Sequence, residues 1–437
     1  MGVSWGTNGV RAMVRLILCL IVFSIPLFLP VYSQITELTV KVNGEPLNFT
    51  DVQPYIDEQT GAAMVPAREI AERLGAAVEW DRALKQVTFR HQQTIASFII
   101  GQQVISLNGK QVALDAPAGL DHNRTLVPLR AVGESLGADV DWVGERNVIL
   151  ITSADKAHKS TWIWNSRLIE TEGDSILEFA VNHKLTALYL PYETFPAQDV
   201  YRNFIGKANK LGIRVEALAG RSDWIYSRNH SRIQQWIAAV TRYNAAAEAT
   251  ERFQGFHVDV EPYTLDMWQT DQPAVLQMWM ETIRLIESEV RKADRSMTMA
   301  FDIPFWLNKC AIAGSNYSFS AWLLEKADQV VIMAYRNTAM GGNGIIASAK
   351  AIMLEAGKLN KQAIVAVDTL PSTEADYTTF YNSKASLMDA ELRQVKETLS
   401  PYPSYAGIAV HDYVRWIALM NAGRGAGSPD EKEEETR

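Results

Sequence analysis

The chain has almost no cysteine. Of its 437 residues only Cys19 and Cys310 are cysteine, and Cys19 sits in an N-terminal apolar run. One remaining thiol builds neither a disulfide framework nor a cysteine-based zinc site. Histidine is also scarce, with seven residues and no HExxH-like ligand spacing. No metal and no cofactor is therefore expected. Excess positive charge is missing as well. The formal net charge is -8, which leaves no electrostatic footprint for nucleic acid.

What is present is ordinary for globular protein: 47% hydrophobic and 21% charged residues. The length fits two or three domains. Residues 1–34 read as a signal peptide. Arg11 and Arg15 supply a positive start, residues 16–29 an apolar stretch, and Val31-Tyr32-Ser33 a small-residue cleavage pattern before Gln34. The apolar stretch is shorter than the roughly 20 residues that a spanning helix needs. The expected location is secreted or associated with the cell envelope. Residues 423–437 are rich in Gly, Asp and Glu and read as a disordered acidic tail.

Residues 35–154 repeat themselves. Residues 64–80 read MVPAREIAERLGAAVEW and residues 126–142 read LVPLRAVGESLGADVDW. Pro66, Arg68, Leu74, Gly75 and Trp80 recur as Pro128, Arg130, Leu136, Gly137 and Trp142, at a constant offset of 62. Each copy opens on an Asn-Gly turn, Asn43-Gly44 and Asn108-Gly109, the strongest short hairpin signal. A short helix follows, with Pro near its start and Gly at its end. Two such α+β units can bury their apolar faces together. The VPxRxxxExLGAxVxW core resembles the copper amine oxidase N-terminal-like domain of exported Gram-positive bacterial proteins. The resemblance implies a stalk or an envelope attachment module, and no copper ligand cluster is visible. Arg68 and Arg130 either pair with carboxylates or backbone carbonyls, or bind an anionic cell-envelope polymer.

Residues 155–159 read as a polar linker. From residue 160 to 422 strand patterns alternate with amphipathic helical ones. Strand candidates fall at 161–165, 187–191, 214–219, 255–261, 298–303, 329–335, 363–368 and 407–411. Eight βα units over this length predict a (β/α)8 barrel. A doubly wound sheet is the alternative, weakened because no Gly-rich phosphate turn follows the first strand.

The fourth strand carries the sharpest signal, FQGFHVDVEPY at residues 253–263. Side chains alternate along a strand, so Phe256, Val258 and Val260 share one face and His257, Asp259 and Glu261 the other. Ionisable groups on a buried face are costly unless paired or used. The plain alternative is a strand end whose acids meet solvent or an arginine. A barrel of this type works at the C-terminal ends of its strands. Trp164, Tyr192, Glu216, Trp224, Tyr263, Asp302, Trp306, Tyr335, Asn337, Asp368, His411 and Tyr413 fall at or near those ends. Aromatic faces stack on pyranose rings, and carboxylates bind hydroxyls and transfer protons. The expected partner is a polysaccharide or other glycan.

This barrel resembles glycoside hydrolase family 18, the chitinase-like fold. The family's DGxDxDxE motif aligns with residues 254–261, where Asp259 and Glu261 match, and its Met-x-Tyr pattern with Met333-Ala334-Tyr335. The resemblance implies Glu261 as general acid, Asp259 as orienter of a substrate N-acetyl group, and Tyr335 as donor to the reacting carbonyl. The substrate's own acetamide would be the nucleophile. Gln254 and His257 replace two family Asp residues, Arg336 follows Tyr335, and His411 ends the eighth strand. Three functions stay open: a hydrolase of N-acetylated glycans, a glycosidase pairing Glu261 with Asp302 or Asp368, and a non-catalytic carbohydrate-binding barrel.

Overall fold

The computed structural model describes Met1, residues 38–315 and residues 317–422. The expected signal peptide, Met1 apart, and the expected acidic tail lie outside the described residues. No helix among those described is long and apolar enough to cross a membrane.

The C-terminal part is a closed barrel of eight parallel strands. They are β1 (His158–Trp162), β2 (Ala187–Pro191), β3 (Arg214–Ala219), β4 (Gly255–Val258), β5 (Thr298–Pro304), β6 (Gln329–Met333), β7 (Gln362–Asp368) and β8 (Tyr405–His411). The strands pair in chain order and β8 closes on β1, with His158 opposite Gly407. That seam needs glycine. A Cβ on Gly407 would lie 2.0 Å from the His158 carbonyl oxygen. The seam also corrects the expected first strand. Pairing with β8 begins at residue 158, so the strand starts three residues before 161, and Trp164 and Asn165 follow it. Residues 158 and 159 belong to β1 rather than to a linker.

Side-chain parity then sorts the barrel. Leu188, Leu190, Val215, Ala217, Phe256, Val258, Ile303 and Ile332 point outward into the helical layer. Trp162, Tyr189, Leu218, Val331, Ile364 and Ala409 fill the interior. Burying each large apolar side chain contributes about 1.5–3 kcal/mol. The helices are amphipathic for the same reason. In Gln272–Ala293 the buried stripe is Val275, Trp279, Ile283, Ile286 and Val290. Its start is fixed by the Asp271 carboxylate, which accepts from the Ala274 amide at 3.2 Å.

The N-terminal α+β domain consists of a five-stranded sheet, two four-stranded sheets and the two repeat helices, Ala67–Arg73 and Leu129–Ser135. Both Asn-Gly pairs form tight turns with positive φ at each residue: 51° and 78° at Asn43-Gly44, 49° and 83° at Asn108-Gly109. The domain seats on the barrel through charge. Lys396 Nζ donates to Asp139 at 2.5 Å and to Asp141 at 2.8 Å. Glu397 accepts from Lys41 and Arg146, each at 2.7 Å. Burial works against the Asp139 charge, but Lys396 and Lys184 outweigh it and hold the carboxyl down at about 2.

Candidate functional site at the barrel mouth

The inward parity of β4 runs through His257, Asp259 and Glu261, and these three sit at successive depths. His257 is fully buried in the barrel. Its Nε2 lies 2.9 Å from Asp302 Oδ1 and its Nδ1 3.4 Å from Glu216 Oε2. Its ring stacks on Tyr189, with centroids 3.6 Å apart. Burial opposes a charge on this imidazole, but Asp302 and Glu216 outweigh it and lift its pKa to about 9. His257 is thus an imidazolium at neutral pH, held between two carboxylates.

Asp302 is spent on this network. Its other oxygen accepts from the indole of Trp162 at 3.0 Å, and only 3% of the residue is exposed. Glu216 is spent likewise. Arg214 donates to its Oε1 at 2.6 Å, and it lies buried below the strand ends. Burial pushes its pKa up, yet His257 and Arg214 win and hold it low. Glu216 and Asp302 therefore form the charged floor of the mouth rather than direct glycan contacts.

Above that floor stand Asp259 and Glu261. Asp259 follows β4 and its amide donates to the Ala219 carbonyl at 3.0 Å. This tight approach requires Gly220, where a Cβ would come within 1.6 Å of the Asp259 carbonyl oxygen. Burial drives the Asp259 carboxyl well above the usual carboxylate range, with Asp302 and Glu261 adding to it and His257 opposing. Its Oδ1 is buried and has no hydrogen-bond partner. Burial raises Glu261 too. The Tyr263 hydroxyl, which donates to Glu261 Oε1, pulls the other way, and Asp302 adds a further rise. Both acids of the motif are thereby biased toward their protonated forms.

The far wall comes from β6, β7 and β8. Tyr335 lies over His411, with ring planes 21° apart. Burial first, then Asp368 and the site acids, keep its phenol protonated far above neutral pH. His411 Nδ1 is 3.0 Å from Asp368, and Trp164 Nε1 is 2.8 Å from His411 Nε2. An indole only donates, so Nε2 accepts and Nδ1 carries the proton toward Asp368. Opposite them, Tyr263, Trp306 and Trp268 form an aromatic wall, with Tyr263 and Trp306 centroids 5.1 Å apart.

Several expected glycan contacts lie elsewhere. Tyr192 has the outward parity of Leu188 and Leu190 and packs on Tyr201, Tyr243 and Phe253. Trp224 is buried against Trp236 in the helical layer. Tyr413 begins the last helix and is buried against Phe179. Asn337 donates to the Asp376 carbonyl at 3.0 Å and braces a loop. Arg336 stacks over Phe305 and Tyr377, while Asp412 accepts from the Arg415 amide. Trp162 and Trp268 escaped the sequence reading. Trp162 shares the parity of Trp164 within the expected strand 161–165, and that alternation is the signal that could have found it. Trp268 follows β4 by ten residues and carried no strand signal. Among the described residues no group of three or more His, Cys, Asp or Glu is placed to hold a metal ion.

Comparison with solved structures finds folds similar to this one at low sequence identity. A chitinase from Bacteroides thetaiotaomicron aligns with 11% identity and a TM-score of 0.39, covering 59% of this chain and 90% of that one. A GH18 chitinase from Cycas revoluta aligns with 10% identity and a TM-score of 0.39, over 60% and 97%. A beta-mannanase from the blue mussel Mytilus edulis aligns with 10% identity and a TM-score of 0.40, over 60% and 90%. No curated protein matches the chain in sequence. In sequence, residues 41–151 match the family model of the copper amine oxidase N-terminal domain.

Proposed function

We propose that the barrel is a glycoside hydrolase acting on an N-acetylated polysaccharide, with Glu261 as general acid. The observation that carries this reading is the pair Asp259 and Glu261 at the C-terminal mouth. A general acid must hold a proton near working pH, and burial shifts the Glu261 pKa upward, in that direction. Leaving-group protonation would start there. Asp259 supports the N-acetyl preference. Its buried, unpartnered Oδ1 would accept the N–H of a substrate acetamide, whose carbonyl oxygen would then attack the anomeric carbon. Tyr335, a phenol throughout the neutral range, would donate to that same carbonyl. Trp164, Trp306 and Tyr263 offer faces for pyranose rings.

A two-carboxylate mechanism fits the site less well. Asp302 has both oxygens engaged, and Asp368 is tied to His411. We read the N-terminal domain as an attachment module for an exported protein held at the cell envelope.

The test is hydrolysis of fluorogenic N-acetylated and plain β-glycosides, with Glu261→Gln alongside. Turnover confined to N-acetylated substrates and lost in Glu261→Gln supports the reading. Turnover of plain glycosides returns weight to two protein carboxylates. Glycan binding without turnover, unchanged in Glu261→Gln, makes the barrel a binding module.

A further inference from the structure

The two halves of the N-terminal domain pair through equivalent residues. Strand Ala63–Pro66 runs antiparallel to Arg124–Pro128, with Val65 opposite Val127. These valines occupy the same position in the two copies, so a local two-fold axis passes between them. Features built around that axis occur twice, and one of them is a groove. The first groove, about 710 Å³, sets Arg68, Val78 and Trp80 of one copy against Leu120 and Arg124 of the other. The second, about 420 Å³, sets Arg130, Val140 and Trp142 against Ala62 and Ala63. Each groove thus exists only because the copies pair.

The fold explains some of the repeated residues and not others. Leu74 and Leu136 are buried core. Gly75 and Gly137 adopt φ of 82° and 77° after their helices, a conformation that favours glycine. Trp80 and Trp142 have no such reason. Both lie on edge strands and remain 41% and 42% exposed. Among the described residues Arg68 and Arg130 pair only across one helical turn, with Glu72 at 3.2 Å and Glu134 at 3.5 Å. Such exposed pairs contribute little to stability. An indole left half in water on a strand edge invites association, and the chain carries that liability twice at the same place.

We propose that the two grooves are twin binding sites for an acidic polysaccharide. A pyranose ring would stack on each indole, and the neighbouring arginine would grip a hydroxyl or carboxylate. Charge selects the class. The first groove is lined by Arg68, Arg82, Lys85, Arg124 and one acid, Glu69; Arg124 is paired with Asp51 and Glu69 and Arg68 with Glu72, so its surplus positive charge comes from Arg82 and Lys85. The second balances Arg130 with Asp115. The first groove is therefore the stronger site for a uronic-acid polymer, and the second adds avidity on a repetitive chain. This inference rests on the N-terminal domain alone and stands whatever the barrel does.

Affinity electrophoresis of the full chain tests it, in native gels containing polygalacturonate or neutral hydroxyethylcellulose. Polygalacturonate should retard the wild type more strongly than the neutral polymer does. Trp80→Ala should weaken that retardation about 10-fold, Trp142→Ala should weaken it less, and the double variant should abolish it. Arg68→Gln, a surface change that spares the fold, should weaken retardation by polygalacturonate alone. No retardation of the wild type overturns the proposal. So does a double variant with an unchanged circular dichroism spectrum that is retarded like the wild type. Stronger retardation by the neutral polymer removes the acidic assignment.

Discussion

His257 Nε2 meets Asp302 Oδ1 at 2.9 Å inside the barrel, below the strand ends. The contact helps to hold a charge on His257, beneath the candidate acids, that its imidazole would not carry alone in such burial. Its sign matters: an imidazolium under Asp259 moderates the rise that burial imposes on that carboxyl. A carboxylate in place of His257 would increase it.

Stability should therefore depend on the protonation of His257. Its pKa rises from an ordinary 6.5 to about 9 on folding. A raised folded value means that the contribution is complete below pH 6.5 and is lost as pH climbs through about 9. The shift corresponds to about 3 kcal/mol. Urea unfolding between pH 6 and 10 should show that loss in the wild type and a flatter profile in His257→Gln. Parallel profiles for the two proteins would contradict the imidazolium assignment.

Tyr263 should tune the acid. Its hydroxyl bond to Glu261 favours the carboxylate, so Tyr263→Phe raises the Glu261 pKa. A general acid fails as it deprotonates. The alkaline limb of the pH–rate profile should thus move to higher pH in Tyr263→Phe, while the maximal rate falls by about tenfold or less. An unmoved limb would separate Tyr263 from the acid.

Gly220→Ala should damage the mouth directly. The new methyl would collide with the Asp259 backbone, and backbone cannot swing aside as a side-chain tip can. A loss of about 1–3 kcal/mol is expected from such overpacking, together with loss of turnover. Thermal unfolding and the glycoside assay measure both, and a neutral variant would refute the close approach.

Lys396→Ala should loosen the N-terminal domain from the barrel. It strands Asp139 and Asp141, half-buried, without their shared cation. Asp139 falls from an ordinary 3.8 to about 2 in the folded protein. Its contribution, about 2 kcal/mol, is present above pH 3.8 and lost as pH falls through about 2. Limited proteolysis near residues 154–157 should be faster in the variant than in the wild type at neutral pH, and faster in the wild type below pH 3 than at neutral pH. Equal cleavage in variant and wild type at neutral pH would count against this seam.

Periodicity alone determined much of this protein. Alternation in FHVDVE placed His257, Asp259 and Glu261 on the inner face. The repeat of residues 64–80 at 126–142 announced a paired domain, and strands β2 to β6 begin at the residues where the pattern put them. Those are local properties, written in spacing of two, of three to four, or of 62. What the tertiary structure decided is who meets whom. His257 finds its partners 41 and 45 residues away, and only barrel closure brings Glu216 and Asp302 to it. Tyr192, Trp224 and Tyr413 lie close in sequence to strand ends, yet the helical layer takes them, because an aromatic ring is buried wherever apolar surface is nearest. The start of β1 was hidden for a related reason. A barrel seam is set by pairing between the first strand and the last, about 250 residues apart, and no local pattern records it.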